Sequence, residues 1–360
     1  MVILITGASG VVGREILARL VARADVARVY ALVRHTPARP LPRGVIPVDG
    51  SITAGESLGL TAAARRHLAD VTAVIHAAAD TRFDGPAAEL NETNIDGTNN
   101  VLAFARTLGQ LDRVCALSTV YVAGRRSGRI LESELSHDAG FVNAYERSKY
   151  EMEVQLQNQR RTLPIAVARL STVIGDSRDG HVGSQSAFHH ALRLYYHSLA
   201  PMLPGIPGSP VDVIPTDYAA DAIVTLACDE FRPGATWHIC AAGEAPEIEQ
   251  LLDAAIEAFH ACRPAWRRRA IAKPAIVPLA TFERFADTVE ELRDTTLTSA
   301  TRLVRPFAPQ LAFPKRFDDS DTSPCLRAHG LACPPFGSYF RRIVQHLIDA
   351  HWSAGVAQTV

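Results

Sequence analysis

The sequence predicts an α/β fold, a doubly wound parallel sheet with a smaller, mainly helical lobe towards the C-terminus. Three observations carry this. Short apolar runs alternate with helical patterns through the first half of the chain. The first run, from Val2, leads straight into a glycine-rich turn, Thr6-Gly7-x-x-Gly10-x-x-Gly13. After Gly175 the alternation gives way to proline- and glycine-rich stretches with isolated helices.

Each element follows from its residues. Val2–Ile5 is a buried strand, and a helix runs from Val11 to about Arg23. Arg28–Arg34 is a second strand. Val45–Val48 is a third, weakened by Pro47, which cannot donate to a sheet ladder. Val71–His76, Arg113–Ser118 and Ile165–Leu170 are the fourth to sixth. Helices over Thr98–Leu108 and Tyr145–Arg161 intervene. Strands this short and apolar fit burial on both faces of a parallel sheet. Beyond the run Pro201–Pro210 come a helix over Tyr218–Asp229, a strand over Thr236–Cys240 and a helix over Pro246–Cys262. Pro246 reads as the first position of that helix. Three more helices follow, near Leu279–Arg293, Leu297–Val304 and Gly337–Ala350. Residues 1–179 therefore form a nucleotide-binding domain that later strands from about 211–240 rejoin. Residues 180–210 and 241–360 form the substrate lobe.

The glycine turn has a mechanical reading. Gly7 permits the tight strand-to-helix turn, Gly10 lets a pyrophosphate approach the backbone, and Gly13 lets the helix lie close to the sheet. The helix N-terminus then offers free amides and a positive dipole to phosphate. This is the signature of a Rossmann-type dinucleotide site. At the end of the second strand an acidic residue would hold a ribose 2′-hydroxyl. Arg34 stands there instead, with His35 and Arg39 behind it. A guanidinium suits a 2′-phosphate, which points to NADP(H) rather than NAD(H).

Composition sets outer bounds. The 360 residues suffice for a large core and a second lobe. A net charge of −1, with 21% charged residues, removes the electrostatic case for a nucleic-acid binder. The one dense basic run, Trp266-Arg267-Arg268-Arg269, reads as a solvated face. Six cysteines are scattered without disulfide or metal spacing, and Cys115 and Cys240 sit in strand-like runs that suit a core. No metal site is expected. No apolar run reaches membrane-span length, and a core strand beginning at residue 2 leaves no room for a signal peptide. These features lead to a cytoplasmic expectation. A homo-oligomer is compatible with the sequence.

The chemistry sits at Tyr145-Glu146-Arg147-Ser148-Lys149. Reducing a carbonyl needs a hydride donor and a proton donor. Free tyrosine titrates near 10, and a nearby ammonium lowers that value. Four residues apart on a helix, Tyr145 and Lys149 share a face. Lys149 can bias the phenol and also reach the nicotinamide ribose. Ser118 and Thr119, at the end of the fifth strand, are both placed to hold a carbonyl oxygen. Asn94, in Asn94-Ile95-Asp96-Gly97-Thr98, lies near the site, and a helix-capping role explains it equally well. His76 closes the fourth strand and reads as a residue beneath the cofactor rather than a catalytic base.

Together these motifs resemble the extended short-chain dehydrogenase/reductase superfamily. The matches are the glycine turn, His76-Ala77-Ala78-Ala79, Asn94-x-x-Gly97-Thr98, Leu117–Val122, Tyr145-x-x-x-Lys149 and Arg169 through Gly175. Within it, Ser118–Gly124, Tyr145–Glu151, Val211–Tyr218 and, more loosely, Phe313–Asp318 are similar to thioester reductases and fatty acyl-CoA reductases. The resemblance implies a triad of Thr119, Tyr145 and Lys149, with Ser118 as the adjacent alternative. It also implies cofactor contacts from Thr6, Ser9, Val11, Val12, Ala77, Ala78, Asn94, Lys149, Leu170 and Val173. Two positions depart from the pattern. Ser51 replaces the acidic residue that often holds adenine, and Leu170 follows Arg169 where proline is usual. The expected function is NADPH-dependent reduction of an acyl thioester, or of a derived aldehyde or ketone, with a small and largely apolar substrate that is free or carrier-bound. No adenylation or carrier segment is recognisable, which suggests a stand-alone enzyme. The rivals are an alcohol dehydrogenase, a sugar-nucleotide epimerase or dehydratase, and a non-catalytic cofactor sensor. A cleft built from residues 180–215 and 263–335 should lie over the nicotinamide. Met202, Leu203, Ile206, Val211, Val213 and Ile214 should supply its apolar contacts.

Overall fold

The computed structural model describes residues 1–34, 40–263, 273–292 and 295–352. His35, Arg39 and the basic run Trp266–Arg269 lie outside the described residues. Seven parallel strands form the main sheet: β1 (Val2–Thr6), β2 (Arg28–Val33), β3 (Val45–Asp49), β4 (Ala73–His76), β5 (Arg113–Thr119), β6 (Ile165–Leu170) and β7 (Thr236–Ile239). Their spatial order is β7-β6-β5-β4-β1-β2-β3. The winding reverses between β1 and β4, and open α/β sheets bind ligands at the carboxyl ends of the strands at such a point. Pro47 is tolerated because β3 is the sheet edge.

Side-chain alternation explains why both faces are covered. Ile3, Ile5, Ile75, Cys115 and Ala168 point into one core, against Ile16, Leu17 and Leu20 of α1 (Val11–Val21) and Ala219, Ile223 and Leu226 of the helix Thr216–Cys228. Leu4, Val74, Val114, Ala116 and Val167 point into the other. There they meet Val101, Leu102 and Phe104 of the helix Gly97–Ala105, and Met152 and Leu156 of the helix Ala144–Gln159. Cys115 and Cys240 are buried, and all six cysteines are free thiols.

The second lobe has its own core. Leu192 and Tyr195 of the helix Ala187–Tyr196, Leu252 and Phe259 of the helix Ile248–Cys262, and Tyr339, Phe340, Ile343 and Leu347 of the helix Phe336–Asp349 pack together. The helix expected to open on Pro246 opens instead at Ile248. Glu247 and Gln250 form a reciprocal capping box there, which satisfies the first-turn amides better than proline could.

The chain is not cleanly divided at residue 241. Leu326 of the short helix Thr322–Ala328 is 1% exposed and belongs to the sheet core, with Leu331 and Cys333 packed against it. Residues Lys315–Phe317 pair in parallel with Gly128–Ile130. A buried carboxylate fastens this return. Glu132 accepts from the backbone N–H of His238 at 3.0 Å, from that of Asp321 at 2.7 Å and from the Thr322 hydroxyl. Residues 315–333 thus lie against the nucleotide-binding domain. No helix among the described residues is long and apolar enough to cross a membrane.

If residues 315–333 are structurally part of the sheet domain, Leu326→Ala destabilises the whole protein. Loss of a buried leucine costs about 2–5 kcal/mol. Denaturant unfolding should show one cooperative transition moved to lower midpoint. A separate, early-melting step would assign the segment to the lobe.

Candidate active site

The glycine turn is built by exclusion. Gly7 has φ +72°, and a Cβ on it would stand 2.5 Å from the backbone of Ala77 and Ala78. A Cβ on Gly13 would stand 2.1 Å from the Gly7 carbonyl oxygen. The β1 turn, the first turn of α1 and the loop after β4 are therefore packed backbone to backbone. Gly10 differs: its Cβ would meet only the Gly7 oxygen, at 3.3 Å, so its hydrogen faces open space. No side chain caps the N-terminus of α1. Its first amides remain available to an anion. These features fit a bound dinucleotide diphosphate.

A hydrogen-bond chain holds the two loops in place. The Ala78 N–H donates to the Thr6 hydroxyl at 3.2 Å, and Thr6 in turn lies 2.7 Å from His76 Nδ1. His76 Nε2 lies 2.9 Å from the Thr98 hydroxyl, which donates to the Asn94 carbonyl at 2.7 Å. Thr98 has thus used its proton, so His76 donates through Nε2 and accepts at Nδ1 from Thr6. The ring is neutral and wholly enclosed. Burial, aided by the Lys149 charge, pushes its pKa down to about 3. His76 does not line the cavity and is placed as a structural residue.

Asn94 is fully buried at a π-turn over Glu92–Asp96. Its Oδ1 accepts from the Asp80 N–H at 2.8 Å. Its Nδ2 donates to the Asp80 carbonyl and the Ser148 hydroxyl, both at 2.9 Å. The side chain is saturated and does not reach the cavity. It acts on the site by clamping the loop that carries Ala77 and Ala78, not by touching a ligand.

Above this frame lies a cavity of about 2120 Å³. Thr6, Gly7, Ser9, Gly10, Val11, Val12 and Gly13 line its floor. Arg34, exposed just after β2, lines the cavity, as do Ser51 and Thr53. Ala77, Ala78, Leu170 and Val173 line the centre, with Ser118, Thr119, Tyr145 and Lys149.

Tyr145 and Lys149 share one face of their helix, whose start is set by Asn143 accepting from the Glu146 N–H at 3.0 Å. The Tyr145 phenol and the Thr119 side chain both line the cavity, and the Thr119 hydroxyl accepts from the Tyr121 N–H at 3.2 Å. The Ser118 hydroxyl is buried without a hydrogen-bond partner among the described residues. Lys149 donates to the Leu117 carbonyl and to Met152 Sδ, each at 3.0 Å. Burial pulls its ammonium down to about 8. The sequence suggests that Lys149 lowers the phenol pKa. Here burial dominates and raises Tyr145 above its ordinary value, while the neighbouring Thr119 side chain opposes the rise. The phenol is fully protonated at neutral pH, as a proton donor requires.

Several cavity residues carried no sequence signal. The Phe83 ring stands edge-on to Tyr145 at 5.3 Å and to Tyr121 at 6.3 Å. The Tyr121 hydroxyl meets the Thr172 hydroxyl at 2.7 Å. Asp80 pairs with Arg82 beside them. Phe83, Asp80 and Arg82 are loop residues outside any motif, brought in by tertiary packing, whereas Tyr121 stands in the Leu117–Val122 run and Thr172 between Arg169 and Gly175.

Beyond Tyr145 the cavity runs into the second lobe. Of the six aliphatic residues expected there, Leu203, Val211 and Val213 line it. Met202 packs into a neighbouring apolar cluster, Ile214 is in the sheet core, and Ile206 is 50% exposed. Leu251, Leu252, Phe307 and Leu311 complete the apolar wall.

Comparison with known proteins gives the family and the fold. The family model described as male sterility protein, an NAD-binding family, matches residues 40–223. A hybrid PKS-NRPS synthetase, mycA, of Thermothelomyces thermophilus is 28% identical over 255 residues, covering 62% of this chain and 6% of that protein. The chloroplastic fatty acyl-CoA reductase 2 of Arabidopsis thaliana is 34% identical over 93 residues, covering 26% of this chain and 15% of that one. The chain spans only 6%, 27% and 5% of the lengths of the first three such relatives. The crystal structure of the terminal R domain from the myxalamid PKS-NRPS pathway has the same fold. It superposes with a TM-score of 0.78 at 23% identity, covering 98% of this chain and 91% of that one.

The second and third glycines of the turn should separate binding from folding. Gly13→Ala forces a backbone clash and is expected to lower stability by about 1–3 kcal/mol. Gly10→Ala should leave the melting temperature nearly unchanged and weaken dinucleotide binding in a fluorescence titration. Equal melting losses for both variants would contradict the division of roles.

Proposed function

The chain belongs to the NAD-binding male sterility protein family, and from that premise we propose that it is an oxidoreductase of the extended short-chain type, an NADPH-dependent reductase of acyl thioesters or of the aldehydes and ketones derived from them. One observation carries the reading: the glycine turn, the side chains of Thr119, Tyr145 and Lys149, and an apolar extension of the second lobe all open into a single cavity. The fatty acyl-CoA reductase and synthetase relatives support the acyl class.

The glycine turn and the α1 amides hold the diphosphate in this reading, and Lys149 holds the nicotinamide ribose. When bound, the reduced nicotinamide supplies hydride to the carbonyl carbon. Thr119 orients the carbonyl oxygen, and Tyr145 donates its phenolic proton to it. Burial keeps that phenol neutral until a substrate oxygen arrives. The apolar wall of Leu203, Val211, Val213, Leu251 and Leu252 binds the acyl group by desolvation. A sugar-nucleotide substrate would require cations for a second diphosphate. Of the arginines lining the cavity away from the cofactor seat, Arg302 is 72% exposed, and Arg82 and Arg178 are already paired with Asp80 and Asp176. The substrate is either free or carrier-bound.

Cofactor choice is assigned to Arg34. NADPH should bind about ten-fold or more tightly than NADH, because a guanidinium pairs with the 2′-phosphate. Arg34→Ala should bring the two affinities together. Equal affinities in the unmodified protein would take Arg34 out of this role.

The activity itself is tested by following NADPH absorbance with a panel of acyl-CoAs, aldehydes and sugar nucleotides. Consumption with acyl-CoA or aldehyde is expected. Tyr145→Phe should cut that rate by about 10²–10⁴-fold, the usual worth of a positioned acid, with cofactor titration unchanged. Sugar-nucleotide isomerisation without net NADPH loss would replace the reductase reading with the epimerase one.

A further inference from the structure

Tyr121 and Thr172 meet hydroxyl to hydroxyl at 2.7 Å, and both side chains line the cavity. Neither hydroxyl has another hydrogen-bond partner among the described residues. Two hydroxyls carry two protons, and the bond between them uses one. The other proton is left to donate, with no protein acceptor to take it. Burial pushes the Tyr121 phenol up to about 12, so it keeps its proton at neutral pH. A phenol is nevertheless a stronger acid than an aliphatic hydroxyl, whose oxygen is the better acceptor. Tyr121 therefore donates to Thr172, and the free proton is the one on Thr172 Oγ1. Receiving the phenol's bond polarises the Thr172 hydroxyl and strengthens it as a donor.

Local structure fixes where this donor stands. Tyr121 follows Thr119 by two positions, and its N–H is held by the Thr119 hydroxyl at 3.2 Å. The Phe83 ring lies edge-on to both Tyr121 and Tyr145, so neither phenol ring swings without displacing it. Thr172 opens the short strand Thr172–Val173, which pairs in parallel with Val213–Ile214. Its direct register partner is Val213, one of the aliphatic residues of the second-lobe wall. The hydroxyl pair thus links the turn that carries Thr119 to the start of the apolar wall. An acyl chain leaving the carbonyl for that wall passes this point. A donor beside leucine and valine is unmatched until a ligand brings an acceptor.

We propose that Thr172, oriented by Tyr121, is a specificity-determining residue that donates a hydrogen bond to an oxygen carried on the acyl chain close to the reacting carbonyl. The preferred substrates are then hydroxylated or otherwise oxygenated acyl groups rather than plain hydrocarbon chains. This rests on the reading of the protein as a reductase that holds the carbonyl at Thr119 and Tyr145. A site built to bond a substrate oxygen disfavours the analogue that lacks it, because the donor then stays unpaired.

The test follows NADPH consumption by the full chain with hexanoyl-CoA, 2-hydroxyhexanoyl-CoA and 3-hydroxyhexanoyl-CoA, and with the three matching aldehydes. The better hydroxylated substrate should exceed the plain one in kcat/KM by about three- to ten-fold, the net worth of one neutral hydrogen bond. Thr172→Val should bring that ratio close to one, and Thr172→Ser should keep it. Tyr121→Phe retains the ring against Phe83 but removes the orienting hydroxyl, and should lower the ratio part-way. Where Thr172→Val fails to fold, Tyr121→Phe carries the comparison. Equal efficiencies for plain and hydroxylated chains, or a ratio that these substitutions do not move, overturn the assignment of Thr172 and leave the reductase reading intact. Absence of turnover by the unmodified protein with every acyl-CoA and aldehyde overturns both.

Discussion

The backbone contact between Gly7 and the Ala77–Ala78 peptide governs the rest of this molecule. It brings the β1 turn and the loop after β4 together at the point where the sheet reverses its winding. The contact leaves no room for a side chain, so its specificity comes from the polar chain beneath it. Thr6, His76 and Thr98 form a closed relay with every proton assigned, and Asn94 extends it to Asp80 and Ser148. Ser148 lies between Tyr145 and Lys149 on their helix. The floor of the cofactor seat and the helix bearing the proton donor are thus tied through one buried asparagine. In a low-dielectric interior such a network is rigid because each broken bond leaves an unsatisfied group.

Burial sets the electrostatics of the centre more than pairwise charge does. Tyr145, Lys149 and His76 each move towards their neutral forms, for the same reason. The site holds its groups uncharged or marginally charged until a ligand supplies partners. A bound cofactor would therefore alter their protonation more than it would in a solvent-filled cleft.

Local patterns were legible in the sequence and distant ones were not. The seven strands could be read because each is an apolar run bounded by turns, and the glycine turn because its spacing has a steric meaning. The face shared by Tyr145 and Lys149 followed from helical period. Asn94 was misread as a possible ligand contact because its position beside the site said nothing of the peptide it clamps. Phe83 could not be found, since a loop aromatic has no period. Pro246 suggested a helix start, but Glu247 and Gln250 cap the helix two residues later. The return of residues 315–333 to the sheet was hidden for a related reason. Its determinants are single polar bonds to Glu132, made across about 190 positions.

That return has a consequence for how the protein is made. The strand Gly128–Ile130 has as its ladder partner Lys315–Phe317, nearly two hundred residues downstream. During synthesis the nucleotide-binding half can form its sheet and glycine turn early, from mostly near-neighbour strands. The wall over the tyrosine cannot close until the chain beyond residue 317 has left the ribosome, and closing so long a loop is slow. A nascent chain would thus acquire the cofactor seat before the compartment that shelters the reaction, leaving its apolar lining open to other chains in the interval.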